Sequence, residues 1–201
     1  MATLKKKNLS LTYEIIVEKD GKIIQKMRSK SKSLLKNFMS FIFAVFRNKK
    51  TERGGLFPVV DWDGMERYIF PDSVDDLGWL IEGRAESGAW AWGIMIGSGS
   101  TPVSPTDHAL ASLLGGGMTV EEVQFEDVIV DGNISKFTMR RSFTNVSGST
   151  INVNEIGFAV SMTAADGVSY RFLFIRDVLG STVSVPDGAT LTVKYTLSVE
   201  A

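Results

Sequence analysis

From Met118 to Val199 the chain alternates apolar and polar residues in run after run, and the runs are separated by turn signals: DGN, NVSGS, AADG and PDG. A period of two sends successive side chains to opposite faces of an extended strand, which no helix can satisfy. The segments VEEVQFEDVIV, ISKFTMRRSFTN, TINVNEIGFAVSM, YRFLFIRDVL, STVSV and ATLTVKYTLSV therefore read as consecutive strands. In the last of them Leu191, Val193, Tyr195, Leu197 and Val199 share one face, and Thr190, Thr192, Lys194, Thr196 and Ser198 the other. One face is covered and one is wet. The expected fold is mainly β, with an antiparallel β-sandwich of jelly-roll or Ig-like type over residues 89–201.

Ahead of it, residues 1–50 read as a basic hairpin and an amphipathic helix, and 51–88 as an irregular connecting segment or insertion. In LTYEIIVEKDGKIIQKMRSKS, a three-residue loop Lys19-Asp20-Gly21 sets Glu18 opposite Lys22, Val17 opposite Ile23, Ile15 opposite Gln25, Glu14 opposite Lys26 and Tyr13 opposite Met27. That register gathers Tyr13, Ile15, Val17, Ile23 and Met27 on one face. From Ser31 or Ser33 the period becomes helical, with a serine cap, an apolar stripe of Leu34, Leu35, Phe38, Phe41, Ile42, Val45 and Phe46, and the cations of RNKK at the end. Within 51–88, FPVVDW and ERYIF suggest short strands.

Trp90, Trp92, Ile94 and Ile96 alternate with small residues as a strand. Ser104, Pro105 and Asp107 then resemble the start of a short helix over HALASLL, ended by Gly115 to Gly117. The phase of alternation slips between Val153 and Ile156, which predicts a bulge near Asn154 or Glu155. Asn145 to Thr150 reads as a hairpin tip.

The chain of 201 residues has no cysteine, which removes disulfides, thiolate catalysis and cysteine zinc sites. Residues 1–50 hold 13 Lys or Arg against 3 Asp or Glu, leaving 9 against 20 for the remainder. Such polarity suits an acidic neighbour, another copy of the chain, or non-specific contact of the basic end with nucleic acid. The apolar run Leu34 to Phe46 is too short for a membrane span and contains Lys36 and Asn37.

Candidate chemistry thins out on inspection. GIMIGSGSTP lacks the third glycine of the dinucleotide fingerprint and any following GKS or GKT. His108 is the sole histidine, and no Gly-x-Ser-x-Gly elbow supplies a serine for a triad. Asp61, Asp63 and Gly64 in DWDG lack the later ligands of a calcium loop, so a tight turn is expected. Arg140, Arg141, Glu155, Arg176 and Asp177 lie in or beside apolar strands, where some of them are expected to form ion pairs that fix strand register. No catalytic, cofactor or metal residue emerges. The candidate assembly interface is Lys22, Lys26, Arg28, Lys30, Lys32, Leu34, Leu35, Phe38, Phe41 and Ile42. Trp62 and Trp79 are candidate aromatics for surface binding of a glycan.

Three strings together, GIMIGSGSTPVSPTDHAL, RSFTNVSGSTINVNEIGFAV and FLFIRDVLGSTVSVPDGATLTVKYTLSV, resemble a broad group of tailed-bacteriophage structural proteins. The likeness covers roughly residues 90 to 200, with KSKSLLKNFMSF as a fainter echo. It implies a β-rich, non-enzymatic virion component of the capsid, the head-tail junction or the tail, whose partners are copies of itself and other virion proteins. The alternative role it leaves open is a carbohydrate- or receptor-binding module.

Overall fold

The computed structural model describes residues 9–31, 33–47, 57–69 and 81–200. In chain order the strands are β1 (Leu9–Lys19), β2 (Lys22–Lys30), β3 (Phe57–Val60), β4 (Glu66–Ile69), β5 (Gly93–Gly97), β6 (Met118–Val120), β7 (Gln124–Phe125), β8 (Ile129–Asp131), β9 (Ile134–Asn145), β10 (Ile151–Thr163), β11 (Ser169–Val185) and β12 (Thr190–Glu200). Among the described residues one helix, α1 (Lys36–Arg47), stands between β2 and β3. The protein is mainly β, and its sheets are antiparallel.

The larger sheet runs β2-β1-β12-β9-β6, with β7 and β8 also paired to β9. Its register aligns inward residues in rows: Val17, Leu191 and Phe143; Ile15, Val193 and Arg141; Tyr13, Tyr195 and Met139. The apolar members of these rows pack in one hydrophobic cluster with Ile94, Ile96, Ile156, Phe158, Phe172 and Phe174 of the smaller sheet, β11-β10-β5. Each such fully buried side chain contributes about 1.5–3 kcal/mol of transfer free energy. The opposite face of the larger sheet is polar, and cross-strand hydroxyl bonds join Thr138 to Thr196, Ser142 to Thr192 and Thr144 to Thr190.

The smaller sheet is covered on both faces. Met95, Ala159 and Leu173 point away from the main core into a second cluster with Leu35 and Leu110. Every residue of GIMIG is consequently buried.

Several expectations are corrected. Asp20 (φ 51) and Gly21 (φ 71) form a two-residue turn, so Lys19 pairs with Lys22 and Glu18 with Ile23. A bulge at Ile24 then restores the inward phase, with Val17 opposite Gln25 and Ile15 opposite Met27, while Ile23 is left exposed. Tyr13 faces Ser29, and Lys26 still reaches Glu14 at 3.0 Å from a diagonal position. The helix begins at Lys36; Leu34 instead bridges to Ile175 and Leu35 donates its amide to Phe174. Ser33 caps nothing, because its single hydroxyl proton is shared between the Arg176 carbonyl and Asp177.

VEEVQFEDVIV is broken into β6, β7 and β8, and only Gly93–Gly97 of the tryptophan segment is strand. No helix forms over HALASLL. The irregularity in β10 is where the phase slip puts it, between Val153 and Glu155, and β11 bows out opposite it over 179–182. FPVV and ERYI pair as a small hairpin. Asn145 to Thr150 is no hairpin tip: β9 pairs with β12 and β10 with β11, so this turn carries the chain from one sheet to the other.

Candidate functional site

The Gly-rich loop after β5 encloses a carboxylate of the chain itself. Glu155, on β10, is fully buried; its Oε1 accepts from the Gly99 amide (3.2 Å) and the Ser112 amide (2.7 Å), and its Oε2 from the Ala111 amide (3.1 Å) and Arg176 Nε (2.8 Å). Arg176, on β11, also donates to Asp107 Oδ2 (2.7 Å) and the Thr101 carbonyl (2.9 Å). Burial opposes the charge on Arg176, but the bonds to Asp107 and Glu155 outweigh it and raise its pKa. The loop is thereby held shut. A phosphate has no amides left to find there, because the carboxylate has taken them.

Of the charged residues expected to form ion pairs, Glu155 and Arg176 do so, whereas Arg141, 1% exposed, forms none among the described residues. Its guanidinium donates to five carbonyls: Glu121 (2.7 Å), Trp92 (3.0 Å), Ile94 (3.0 Å), Glu86 (2.9 Å) and Ala89 (2.6 Å). Burial pulls its pKa down to about 10, so it remains charged at neutral pH. All five donors of the fork are used, which fastens segment 86–94 to β9. Trp90 lies on Phe143 at 6.0 Å between ring centroids.

Asn145 completes the alternation Arg141, Phe143, Asn145. Its Nδ2 donates to the Ser149 carbonyl (2.6 Å) and the Val185 carbonyl (2.7 Å), and its Oδ1 accepts from the Ser147 amide (3.0 Å). Its backbone bonds to Ala189 and Gly188 in the turn before β12. One side chain thus ties both crossings between the sheets.

A cavity of about 500 Å³ opens between the end of β2, the 33–35 connection and β11, lined by Tyr13, Ser29, Lys30, Ser33, Pro105 and Asp177 among others. At its floor Asp177 accepts from Ser33 (3.1 Å) and Tyr195 (3.3 Å). Burial, then the charge and hydrogen bond of Asp177, push the Tyr195 phenol well above its ordinary pKa; burial also raises Tyr13, against a bond with Ser29 and together with the Asp177 charge. Phenols held protonated in this way serve as hydrogen-bond donors, and general-base chemistry would need the opposite shift.

Asp61 and Gly64 form a tight turn, as DWDG suggests. Asp61 Oδ1 accepts from the Asp63 and Met65 amides (3.0 and 2.8 Å), Oδ2 from Arg67 Nε (2.7 Å). Beside it a cleft of about 350 Å³ is lined by Asp61, Trp62, Asp63, Ser169, Tyr170 and Arg171. Trp62 is half-buried against the second cluster, and Arg67 covers a face of Tyr170 at 3.8 Å. His108 lies beside Gly64. Among the described residues no cluster of three His, Asp or Glu could hold a metal. No helix among them is long and apolar enough to cross a membrane.

The candidate interface residues separate into two groups. Lys22, Lys26, Arg28 and Lys30 are exposed along β2, the end strand of its sheet. Leu35 is buried inside the chain, Leu34 packs on the main core, and Phe38 packs edge-on and Phe41 face-on against Phe174; Ile42 is half-buried. Lys32 and Trp79 lie outside the described residues. The helix presents a different apolar set, with Met39, Phe43 and Phe46 exposed at i, i+4 and i+7. A second exposed set, missed in the sequence, surrounds β8: Phe125, Val128, Ile129, Val130 and Ile134, next to Val199 and Leu9. Its signal was three consecutive apolar residues, which no one-sided strand can bury.

Comparison of the chain with protein-family models, with curated proteins and with solved structures gives no match.

Proposed function

We propose that the chain is a non-enzymatic structural protein of a tailed-bacteriophage virion, an antiparallel β-sandwich that works by contact with copies of itself and with other virion proteins. The observation that carries this reading is apolar surface left outside an otherwise saturated fold. Phe46 is 84% exposed and Val130 75%, on two separate patches, and such surface on a protein of this size marks contact with a partner. The buried charges, in contrast, are consumed in holding loops. The resemblance of the three strings to phage structural proteins is what suggests the virion as location, without choosing among capsid, head-tail junction and tail.

The test is mass by light scattering across a concentration series, with negative-stain electron microscopy of the largest species. Symmetric oligomers are the expected result. A protein that stays monomeric throughout would end this reading.

A second reading has one observation in its favour, the polar cleft beside Trp62. In that case the chain binds a host glycan, and titration with oligosaccharides should quench tryptophan fluorescence in the native protein while leaving Trp62→Ala unaffected.

A further inference from the structure

We infer that the larger sheet is continued from copy to copy, with β2 of one chain set against the β7–β8 segment of the next; the inference rests on the assembly reading above and specifies its geometry. These two segments are opposite edges of the same sheet, separated by β1, β12 and β9. Their chemistry is opposite too. β2 carries Lys22, Lys26, Arg28 and Lys30 and no acid, whereas 121–131 carries Glu121, Glu122, Glu126, Asp127 and Asp131 and no base.

Internal pairing uses only part of this charge. Lys26 meets Glu14, Glu122 meets Arg84 at 3.3 Å and Asp131 meets Lys136 at 3.8 Å. Lys22, Arg28 and Lys30 on one edge, and Glu121, Glu126 and Asp127 on the other, form no ion pair among the described residues. Each edge also exposes apolar side chains that a ladder would cover, Ile23 and Ile24 on β2 and Val128 to Val130 on the other.

Charge decides which pairing is allowed. Lysines on an edge strand oppose pairing of β2 with β2, and the acids oppose pairing of β8 with β8. Neither opposes β2 with β8. A contact between two different surfaces is heterologous and repeats, so the product is a ring if the rotation closes and a helical stack if it does not. Sheet twist supplies a rotation at every junction.

Charge reversal on the whole chain tests this. Lys22→Glu with Lys30→Glu leaves, among the β2 side chains without an internal ion pair, two acids against Arg28, so that both edges carry a net acidic excess; Lys22 faces Lys19 and Lys30 faces Thr12 across the ladder, so neither new acid lies directly opposite another within the hairpin. Glu126→Lys with Asp127→Lys leaves, among the side chains of 121–131 without an internal ion pair, two lysines against Glu121, so that both edges carry a net basic excess. Each double variant alone should self-associate at least about tenfold more weakly than the native chain, since like charges then face each other. Mixing the two variants, or combining all four changes in one chain, should restore association, and added salt should weaken the native assembly. Circular dichroism checks that each variant is folded. If the native chain assembles and folded reversed variants assemble equally well, or if mixing restores nothing, the edge pairing is wrong while the assembly reading stands. A native chain that never associates overturns both.

Discussion

Gly99 lies against Glu155 so closely that a β-carbon there would be 2.6 Å from the Ala111 methyl and nearer still to Glu155 Oε1. At Gly97 an added β-carbon would come within 2.6 Å of Glu155 Oε1 and of the Ser112 carbonyl. The two glycines of GSG are there to let the loop close on a buried carboxylate. Gly99→Ala should therefore destabilise by about 1–3 kcal/mol through overpacking. Urea unfolding followed by tryptophan fluorescence measures it.

Removing the carboxylate itself should cost more. Glu155→Ala leaves the Arg176 guanidinium buried with one partner fewer and strands the amides of Gly99, Ala111 and Ser112. Loss of one member of a buried ion pair predicts about 3–5 kcal/mol. Exchange of the Ala111 and Ser112 amides with deuterium should accelerate more than that of β12, because the loop is released first.

This network also shows which parts of the fold the sequence discloses. Alternation is local, so the strand-rich second half, the polar and apolar faces of β12 and the slip between Val153 and Glu155 were all legible. Pairing partners are not local. The same alternating flanks around Asn145 to Thr150 fit a hairpin or a crossing between sheets, and only the pairing of β9 with β12 decides. Adjacent Ile23 and Ile24 make two hairpin registers nearly equal in pattern, and the left-handed Asp20 selects one. HALASLL fails as a helix because the amides of Ala111 and Ser112 donate to a side chain 43 to 44 residues away in sequence. Among the charged residues of the strands, pattern does not say which find an acid: Arg176 pairs with Glu155, and Arg141 finds five carbonyls, an arrangement that no residue spacing encodes.

Arg141→Lys tests that arrangement. An ammonium has three donors and no planar fork, so at least two of the five carbonyls lose their partner. Each buried group left unsatisfied costs about 1–3 kcal/mol. The expected result is a variant close to unfolding, with Arg141→Met no better despite its apolar stem, measured by thermal melts at neutral pH.

Asn145 gives a prediction whose sign depends on protonation. In Asn145→Asp the atom replacing Nδ2 faces the carbonyls of Ser149 and Val185, so an ionised carboxylate is repelled from both. The substitution should destabilise more than Asn145→Ala at neutral pH. Lowering the pH should recover part of the loss, because the protonated acid can donate to one of those carbonyls. Stability measured for both variants at pH 7 and in mild acid provides the comparison.

Asp61 predicts the acid limb of stability at the small hairpin. Burial by itself would raise its carboxyl, but the Arg67 bond and the amides of Met65 and Asp63 outweigh burial and hold it below the usual carboxylate range. A lowered folded pKa means that the unfolded chain binds more protons in that window. The contribution is therefore complete above the ordinary carboxylate pKa and lost as pH falls through the depressed one. Asp61→Asn should lower stability at neutral pH and flatten the dependence on acid.

The exposed helix face separates assembly from folding. Phe46 and Met39 lie on the side of α1 away from Phe174, against which Phe38 and Phe41 pack, and both are largely in solvent. Substitutions at such positions usually change stability by no more than about 0.5 kcal/mol. Met39→Ser with Phe46→Ser should leave the melting temperature nearly unchanged and shift the light-scattering mass toward the monomer. Phe38→Ser is the control with the opposite pattern: it should lower the melting temperature, because its ring packs edge-on against Phe174 at 5.8 Å between centroids. If Met39→Ser with Phe46→Ser left the oligomer intact, the helix face would not be a contact surface and the assembly would rest on the sheet edges alone.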